Sequence, residues 1–353
     1  MGLVVSAYGP LLEYLVRRYG VSLPVAGATI SVHFAGSLPG VIVAMRSFER
    51  FQARISVMVA CAVISFGLIV IALAFVWPLF LAGVFVVGFG FGVLVLGLNQ
   101  VVAYSQGARR VGLLNALNSC FSAGAVVGPL LVAAFAGGHF STLFLVGAGA
   151  WLLVIPATTG IAGRLPVSAG APAWPGRLVV IFVCAFVLYV GIETGTAGWM
   201  PSHLRSLGLS STAAAEATSL FFLALVVGRL LMTVAPTAVR ESTIVLAASA
   251  LATVALLLAN VSAISPLAYI VAGLAMAPIF PTGILWLSKL RPEDSRATSW
   301  LYPAASIGGT LGPGTIGVVI AAAGVGWTPA VLAAVAVAMS GAFLMASQQV
   351  SGR

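Results

Sequence analysis

One carboxylate stands alone where water is scarce. Glu193 lies within LVVIFVCAFVLYVGIETGTAGWM (178–200), an apolar stretch long enough to cross a bilayer. Of the seven acidic residues in the chain it alone occupies a clearly intramembrane position. An ionised carboxylate at the centre of a membrane helix costs about 2.5–3.5 kcal/mol on insertion scales, so such residues face a cavity or a partner and mark function. Carboxylates in partly dry cavities take up protons readily, which would let Glu193 couple proton movement to a solute. The alternative is a structural carboxylate bonded to a neighbouring helix, or one close enough to the interface to be solvated.

A second group offers uncharged hydrogen bonding. Asn99, Gln100, Asn115 and Asn118 fall in two apolar stretches, and carboxamides present paired donors and acceptors that suit a hydroxylated solute. Polar bonding between membrane helices, worth about 0.6 kcal/mol on average, explains the same residues, and Asn115 sits nearer the end of its stretch. His33 is placed mid-span and is a proton-relay or solute-contact candidate beside a packing role. Tyr189, Trp286 and Tyr302, with Trp199 and Trp300 nearer span ends, have rings that stack on a sugar's apolar face or belong to the interfacial belts. Signatures of soluble catalysis are missing: the sequence has no H-E-x-x-H, no G-x-x-x-x-G-K-[ST] and no C-x-x-C. Cys61, Cys120 and Cys184 each sit in an apolar run as small hydrophobes. Neither a cofactor nor a metal site is expected, and without an ATP-binding loop the driving force must come from an ion or solute gradient.

The elements that position these residues follow from composition. Hydrophobic residues make up 61% of the 353 and charged residues 7%, against about 25% charged in soluble domains. The mean hydropathy of +1.15 agrees. A spanning helix needs about 20 mostly apolar residues, and the chain reads as about twelve of them, near 1–16, 23–45, 55–76, 78–104, 114–136, 140–162, 177–200, 212–234, 242–260, 265–288, 298–323 and 327–347. The net charge of +9 is spread through short loops without interleaved aromatics, which excludes a nucleic-acid surface in favour of a lipid bilayer. All basic residues except Arg17, Arg18 and Arg205 gather on one set of loops. The positive-inside rule then puts both termini in the cytoplasm of a multi-pass cell (inner) membrane protein. The Pro-, Ala- and Gly-rich stretch 163–176 reads as a cytoplasmic linker between an N-terminal six-helix half (1–162) and a C-terminal one (177–353).

The halves repeat one another. Gly124-x-x-x-Gly128-Pro129 matches Gly308-Gly309-x-x-Gly312-Pro313, with the Gly-Pro pairs 184 positions apart. YGVS (19–22) matches LGLS (207–210) at 188, and Gly40 matches Gly228 at the same spacing. A near-constant offset indicates duplication, as in transporters built from parallel repeats. By this register the first helix is shortened relative to the seventh, and a start codon assigned too late would explain it. The Gly-Pro motifs allow close helix approach and bend their spans, a gating or structural role. Arg46 and Arg229, with Arg50, Glu49, Glu293 and Asp294, are expected in cytoplasmic ion pairs that close the inward gate. Glu13, Glu216 and Glu241, near span ends, are expected to be solvated.

Three stretches carry a family resemblance: GFGFGVLVLGLNQVVAYSQGARRVGLLNALNSCFSAGAVVGPLLVA (88–133), LYVGIETGTAGWMPSHL (188–204) and APIFPTGILWL (277–287). They resemble the fucose–galactose–glucose:proton symporter branch of the major facilitator superfamily. The resemblance implies an all-α membrane fold of twelve transmembrane helices in two six-helix pseudo-symmetric halves. Asn99 matches the branch's Asn. Val95 stands one turn earlier, where the branch often has a carboxylate, and Asn118 stands where relatives often have His. The loop GVIVAMRSFERFQAR (40–54) keeps only the basic residues and Glu49 of the usual G-x-x-x-D-R-x-G-R pattern.

Together these readings point to a secondary active transporter, monomeric and not an enzyme, that works by alternating access. The first expectation is proton-coupled uptake of a small neutral hydroxylated solute such as a sugar. The alternative is proton-driven export of amphipathic compounds, which the sparse intramembrane charge also suits.

Overall fold

The computed structural model describes residues 1–103, 110–161, 176–234, 239–292 and 297–351. Within these, side chains at 49–50, 100–103, 110–116, 118–119, 233–234 and 350–351 lie outside the description. In hydrocarbon a backbone must satisfy its own hydrogen bonds, which leaves a chain this apolar only helices or a closed barrel. Among the described residues twelve α-helices result: α1 (Gly2–Tyr19), α2 (Leu23–Arg50), α3 (Ala53–Leu73), α4 (Trp77–Ala103), α5 (Arg110–Val154), α6 (Arg177–Ser206), α7 (Ser211–Val234), α8 (Glu241–Leu258), α9 (Ser265–Met276), α10 (Ile279–Leu290), α11 (Leu301–Ala323) and α12 (Thr328–Ser351).

Three of these, α5, α9 and α10, depart from one helix per crossing, and the departures cancel. At 45 residues α5 would be about 68 Å long at 1.5 Å per residue, twice the hydrocarbon thickness. It contains a break at His139, whose φ of −132° and ψ of 36° are not helical, so it crosses twice. Each of α9 and α10 has 12 residues, about 18 Å, too short to span alone. The pair, interrupted at Ala277–Pro278, crosses once. Among the described residues this arrangement amounts to twelve crossings, as expected. Ten helical segments among the described residues are long and apolar enough to span by composition. The chain is a multi-pass membrane protein.

The outward faces are built for lipid. Leu153 is 81% exposed and Phe75 80%, which water would not tolerate over so wide an apolar surface. Inside, α1 packs on α5, α2 on α4, and α3 on both α4 and α5. In the second half α6 packs on α11 and α12, α7 on α9, and α8 on α9, α10 and α12. The two halves meet chiefly along α2 with α11, α5 with α7, and α1 with α6.

The sequence repeat is legible in the packing. A Cβ on Gly40 would come 2.1 Å from the Phe89 carbonyl oxygen, and one on Gly228 would come 2.5 Å from the Ala277 Cβ. Phe89 and Ala277 are 188 positions apart, as are Gly40 and Gly228, so the same pair of helices is pressed together at the same place in each half. The Gly-Pro motifs repeat this. Gly128 sits against the Leu3 carbonyl of α1 and Gly312 against the Cα of Gly191 in α6, and Leu3 and Gly191 again differ by 188. Gly20 (φ 65°) and Gly208 (φ 95°) end α1 and α6 in left-handed conformations that favour glycine. The proposed linker lies almost wholly outside the described residues.

Candidate functional site: a central cavity

A cavity of about 890 Å³ lies between the halves. Its lining comes from the starts of α1, α8 and α11, the two ends of α5, the middle of α2 and α6, the later parts of α4 and α7, and the length of α10. In an alternating bundle all these segments lie toward the end where α1 begins and α12 finishes, so the cavity opens there. Its walls are mostly apolar. Phe34, Phe91, Leu94, Val190, Phe222 and Phe280 are among them, with a few hydroxyls from Ser37, Thr194, Tyr302 and Ser306. The Ser37 and Ser306 Oγ atoms are 3.2 Å apart and tie α2 to α11 across the halves.

Glu193 lines this cavity, and it is not alone. Arg229 Nη2 on α7 stands 3.7 Å from Glu193 Oε1. Arg229 therefore does not belong to a peripheral cluster of ion pairs, where sequence alone placed it. It compensates the intramembrane carboxylate, because two opposite charges in a poor solvent lower each other's desolvation cost. Both remain partly open to the cavity, with side chains 28% and 22% exposed. Tyr189, one helical turn before Glu193 on α6, is close to both groups.

The other candidates divide. Asn99 and Tyr302 line the cavity. Asn99 Nδ2 donates to the Val95 carbonyl of its own helix at 2.7 Å, so its Oδ1 is the group left to accept from a solute. His33, Tyr189 and Trp286, grouped with them by sequence, sit in helix packing instead. His33 is fully buried with Nδ1 3.0 Å from the Tyr8 hydroxyl. Tyr189 is fully buried and donates to the Met276 carbonyl at 3.2 Å. Trp286 packs edge-on against Phe182 at a centroid distance of 5.0 Å. In each case a large ring fills interhelical space that smaller residues would leave void. Gln100 and Asn118 lie in helical backbone whose side chains are outside the description. So do the side chains of Glu49 and Arg50, while Glu293 and Asp294 fall outside the described residues altogether. Arg46 is exposed and takes no part in the three ion pairs among the described residues.

The far end of the cavity is shut by contacts between α1, α2, α6 and α11. A Cβ on Gly9 would come 2.3 Å from the Ala197 carbonyl oxygen. Trp199 is fully buried and donates Nε1 to the Pro313 carbonyl at 2.9 Å. Beyond it, Arg205 Nε donates to both carboxylate oxygens of Glu13 at 3.2 Å, joining the first helix of each half. Glu13 is thus paired rather than simply solvated. Glu241 is also paired, with Lys289 at the cavity mouth, whereas Glu216 is exposed as expected.

This arrangement makes a prediction. Cys120 lines the cavity, while Cys61 is buried. With Cys184 replaced by Ser, a membrane-impermeant maleimide should label Cys120 from the side bearing the chain termini. Glu13→Gln should reduce that labelling by up to about fivefold, since a half-exposed pair biases the closed end by up to about 1 kcal/mol. Labelling unchanged by Glu13→Gln would show that the pair does not hold that end.

Sequence reasoning missed Arg229 as a cavity residue, together with Ser37, Ser306 and Thr194. The signal for Arg229 was available: it is the one basic residue inside an apolar helix run, and the one intramembrane acid needs a partner.

The family model for the Major Facilitator Superfamily matches residues 1–172. No curated protein matches the chain in sequence. Among solved structures, the nucleoside transporter NupG superposes with a TM-score of 0.77 at 14% identity, covering 98% of this chain and 96% of that one. A bacterial homologue of the human lysosomal transporter Spinster, inward-facing and occupied, gives 0.75 at 15%, covering 98% and 94%. The transporter FucP, in an outward conformation, gives 0.65 at 18%, covering 96% of both. At such identities the likeness speaks for architecture, and it agrees with the repeat and the helix count: the chain has the major facilitator fold, two six-helix halves around one central cavity.

Proposed function

We propose that this protein is a proton-coupled secondary transporter that carries a small amphipathic organic solute by alternating access. The observation that carries the reading is the Glu193–Arg229 pair, facing a cavity whose other walls are largely apolar. Ligand sites typically have about 300–1,000 Å³, and 890 Å³ accommodates a solute larger than a single sugar ring. Transport needs a group whose charge changes as the cavity moves from one side to the other. Glu193 is that group, and Arg229 offsets its charge when no proton is bound. The Gly-lined contacts of α1 with α5 and of α6 with α11 let each half move as a unit, and the bridging contacts of α2 with α11 and α5 with α7 form the axis of rocking. With the termini cytoplasmic, the cavity described here faces inward.

A second reading, uptake of a neutral hydroxylated solute such as a sugar, is favoured by the hydroxyls of Ser37, Thr194, Tyr302 and Ser306 and by the acceptor on Asn99. Proteoliposomes loaded with a pH dye separate the two. A proton signal driven by amphipathic solutes and not by a sugar panel is the expected result. A signal with sugars alone would establish the second reading. Silence with both would remove proton-coupled transport.

A further inference from the structure

The ion pair has more to say about what the cavity holds. Resting on the transport reading above, we infer that the solute is an organic monoanion, a carboxylate- or sulfonate-class head on an apolar body, and that Arg229 binds the head when Glu193 is protonated.

Geometry is the first support. The closest approach of Arg229 to Glu193 is a loose one at 3.7 Å, beyond hydrogen-bond length. The Glu13–Arg205 pair makes two contacts at 3.2 Å, and Lys289 is directly hydrogen-bonded to Glu241. A guanidinium carries five N–H donors in a planar fork that matches a carboxylate or sulfonate. No Arg229 nitrogen comes closer to Glu193 than Nη2, and the side chain stays 28% exposed in the cavity lining.

Charge supplies the second support, through an asymmetry between the partners. Glu193 can gain a proton; an arginine does not lose one at any ordinary pH. The pair therefore has two states, neutral overall or singly positive, and no negative state. A cationic solute would add its charge to a site already neutral, leaving an uncompensated positive charge in a poorly solvated cavity. An anion arriving with a proton leaves the sum unchanged. The proton sits on the Glu193 carboxyl, the solute's charge sits on Arg229, and the loaded cavity is as neutral as the empty one. When the proton leaves, Glu193 competes for Arg229 and expels the head. Only an O–H bond is made and broken.

The surroundings fit this assignment. Other titratable groups facing the cavity are Tyr302 on α11, Cys120 on α5 and the Met1 amino end on α1. Glu241 on α8 and Lys289 on α10 neutralise each other at the mouth. Tyr189, one turn before Glu193 on α6, is close to the pair. From α2 and α4 come Phe34, Phe91, Ser37 and Asn99, which receive an apolar body and bring no charge.

The test uses the purified full chain and three probes that share one apolar body: naphthalene-2-sulfonate, a naphthyl trimethylammonium and a 2-naphthyl glucoside. Thermal stabilisation on titration gives each affinity. The sulfonate alone should stabilise, and its binding should tighten as the pH falls, by up to about tenfold per unit, with up to one proton taken up per anion. Arg229→Gln should weaken it by at least about tenfold, the scale of one lost charge-assisted contact, and Arg229→Lys should restore part. Glu193→Gln, checked for monodispersity, should bind the sulfonate with its pH dependence gone, a readout that a folding defect would not produce. Stabilisation by the ammonium instead, sulfonate binding untouched in Arg229→Gln, or no sulfonate binding at any pH overturns the anion. Stabilisation by the glucoside alone also overturns it, yet leaves proton-coupled transport standing. That reading falls separately, if no solute moves protons in proteoliposomes.

Discussion

Glu193→Gln is expected to abolish solute-driven proton movement, and with it uphill accumulation, while solute exchange down its own gradient continues. Gln keeps the volume and hydrogen-bonding shape of a protonated Glu but cannot release a proton, so the cavity is fixed in one charge state. The measurement compares the pH-dye signal with counterflow in the same proteoliposomes. Proton movement should fall to background, with counterflow retained. The substitution also leaves Arg229 without its counter-ion. Breaking a fully buried pair costs about 3–5 kcal/mol, but these side chains are 28% and 22% exposed to the cavity, so about 1–2 kcal/mol is the appropriate scale between that and the surface value. A melting temperature lowered by a few degrees, and recovered on adding an anion, would agree with this accounting. Accumulation unchanged in the variant would remove Glu193 from the mechanism.

Much of the architecture was readable in the chain because membrane helices are specified by length and hydropathy. The division between 114–136 and 140–162 follows from the limit a bilayer sets on one crossing, and the helix does break there, at His139. The repeat was read from glycines, and glycines are also what the packing uses: Gly40 and Gly228, Gly128 and Gly312 each mark a helix contact. Side-chain direction was the harder matter. Nothing in the spacing of His33, Tyr189 and Trp286 distinguishes a ring turned to a solute from one turned to a neighbouring helix, because in a membrane bundle both faces are apolar and hydropathy gives no moment to orient them. Asn99 and Tyr302 have the same kind of neighbours in sequence and face the cavity. Glu193 was legible since its cost demands an explanation. Its partner was not assigned, because pairing across 36 positions depends on how α6 meets α7.

The same substitution at two glycines should give opposite results, and the contrast tests whether the α6–α11 contact holds the cavity together. Within a helix, Gly→Ala is worth about 1 kcal/mol in favour of Ala. At Gly341 on α12 a new Cβ meets nothing within 4 Å, so Gly341→Ala should leave the melting temperature unchanged or slightly raised. At Gly312 it would lie 2.3 Å from the Gly191 Cα and 2.4 Å from the Gly191 carbonyl oxygen. Those are backbone atoms, which cannot swing aside as a side chain can, so α11 must move off α6. Overpacking of this sort costs about 1–3 kcal/mol or more, enough to outweigh the propensity gain. Gly191 precedes Glu193 by two residues and Pro313 accepts the Trp199 hydrogen bond, so the displacement reaches both the ion pair and the closed end. Gly312→Ala should therefore lower the melting temperature and reduce coupled transport together, by more than Gly341→Ala changes either. Equal behaviour of the two variants would mean that α6 and α11 are not held this close. The shared charge-carrying site between the halves would then need a different mechanical support.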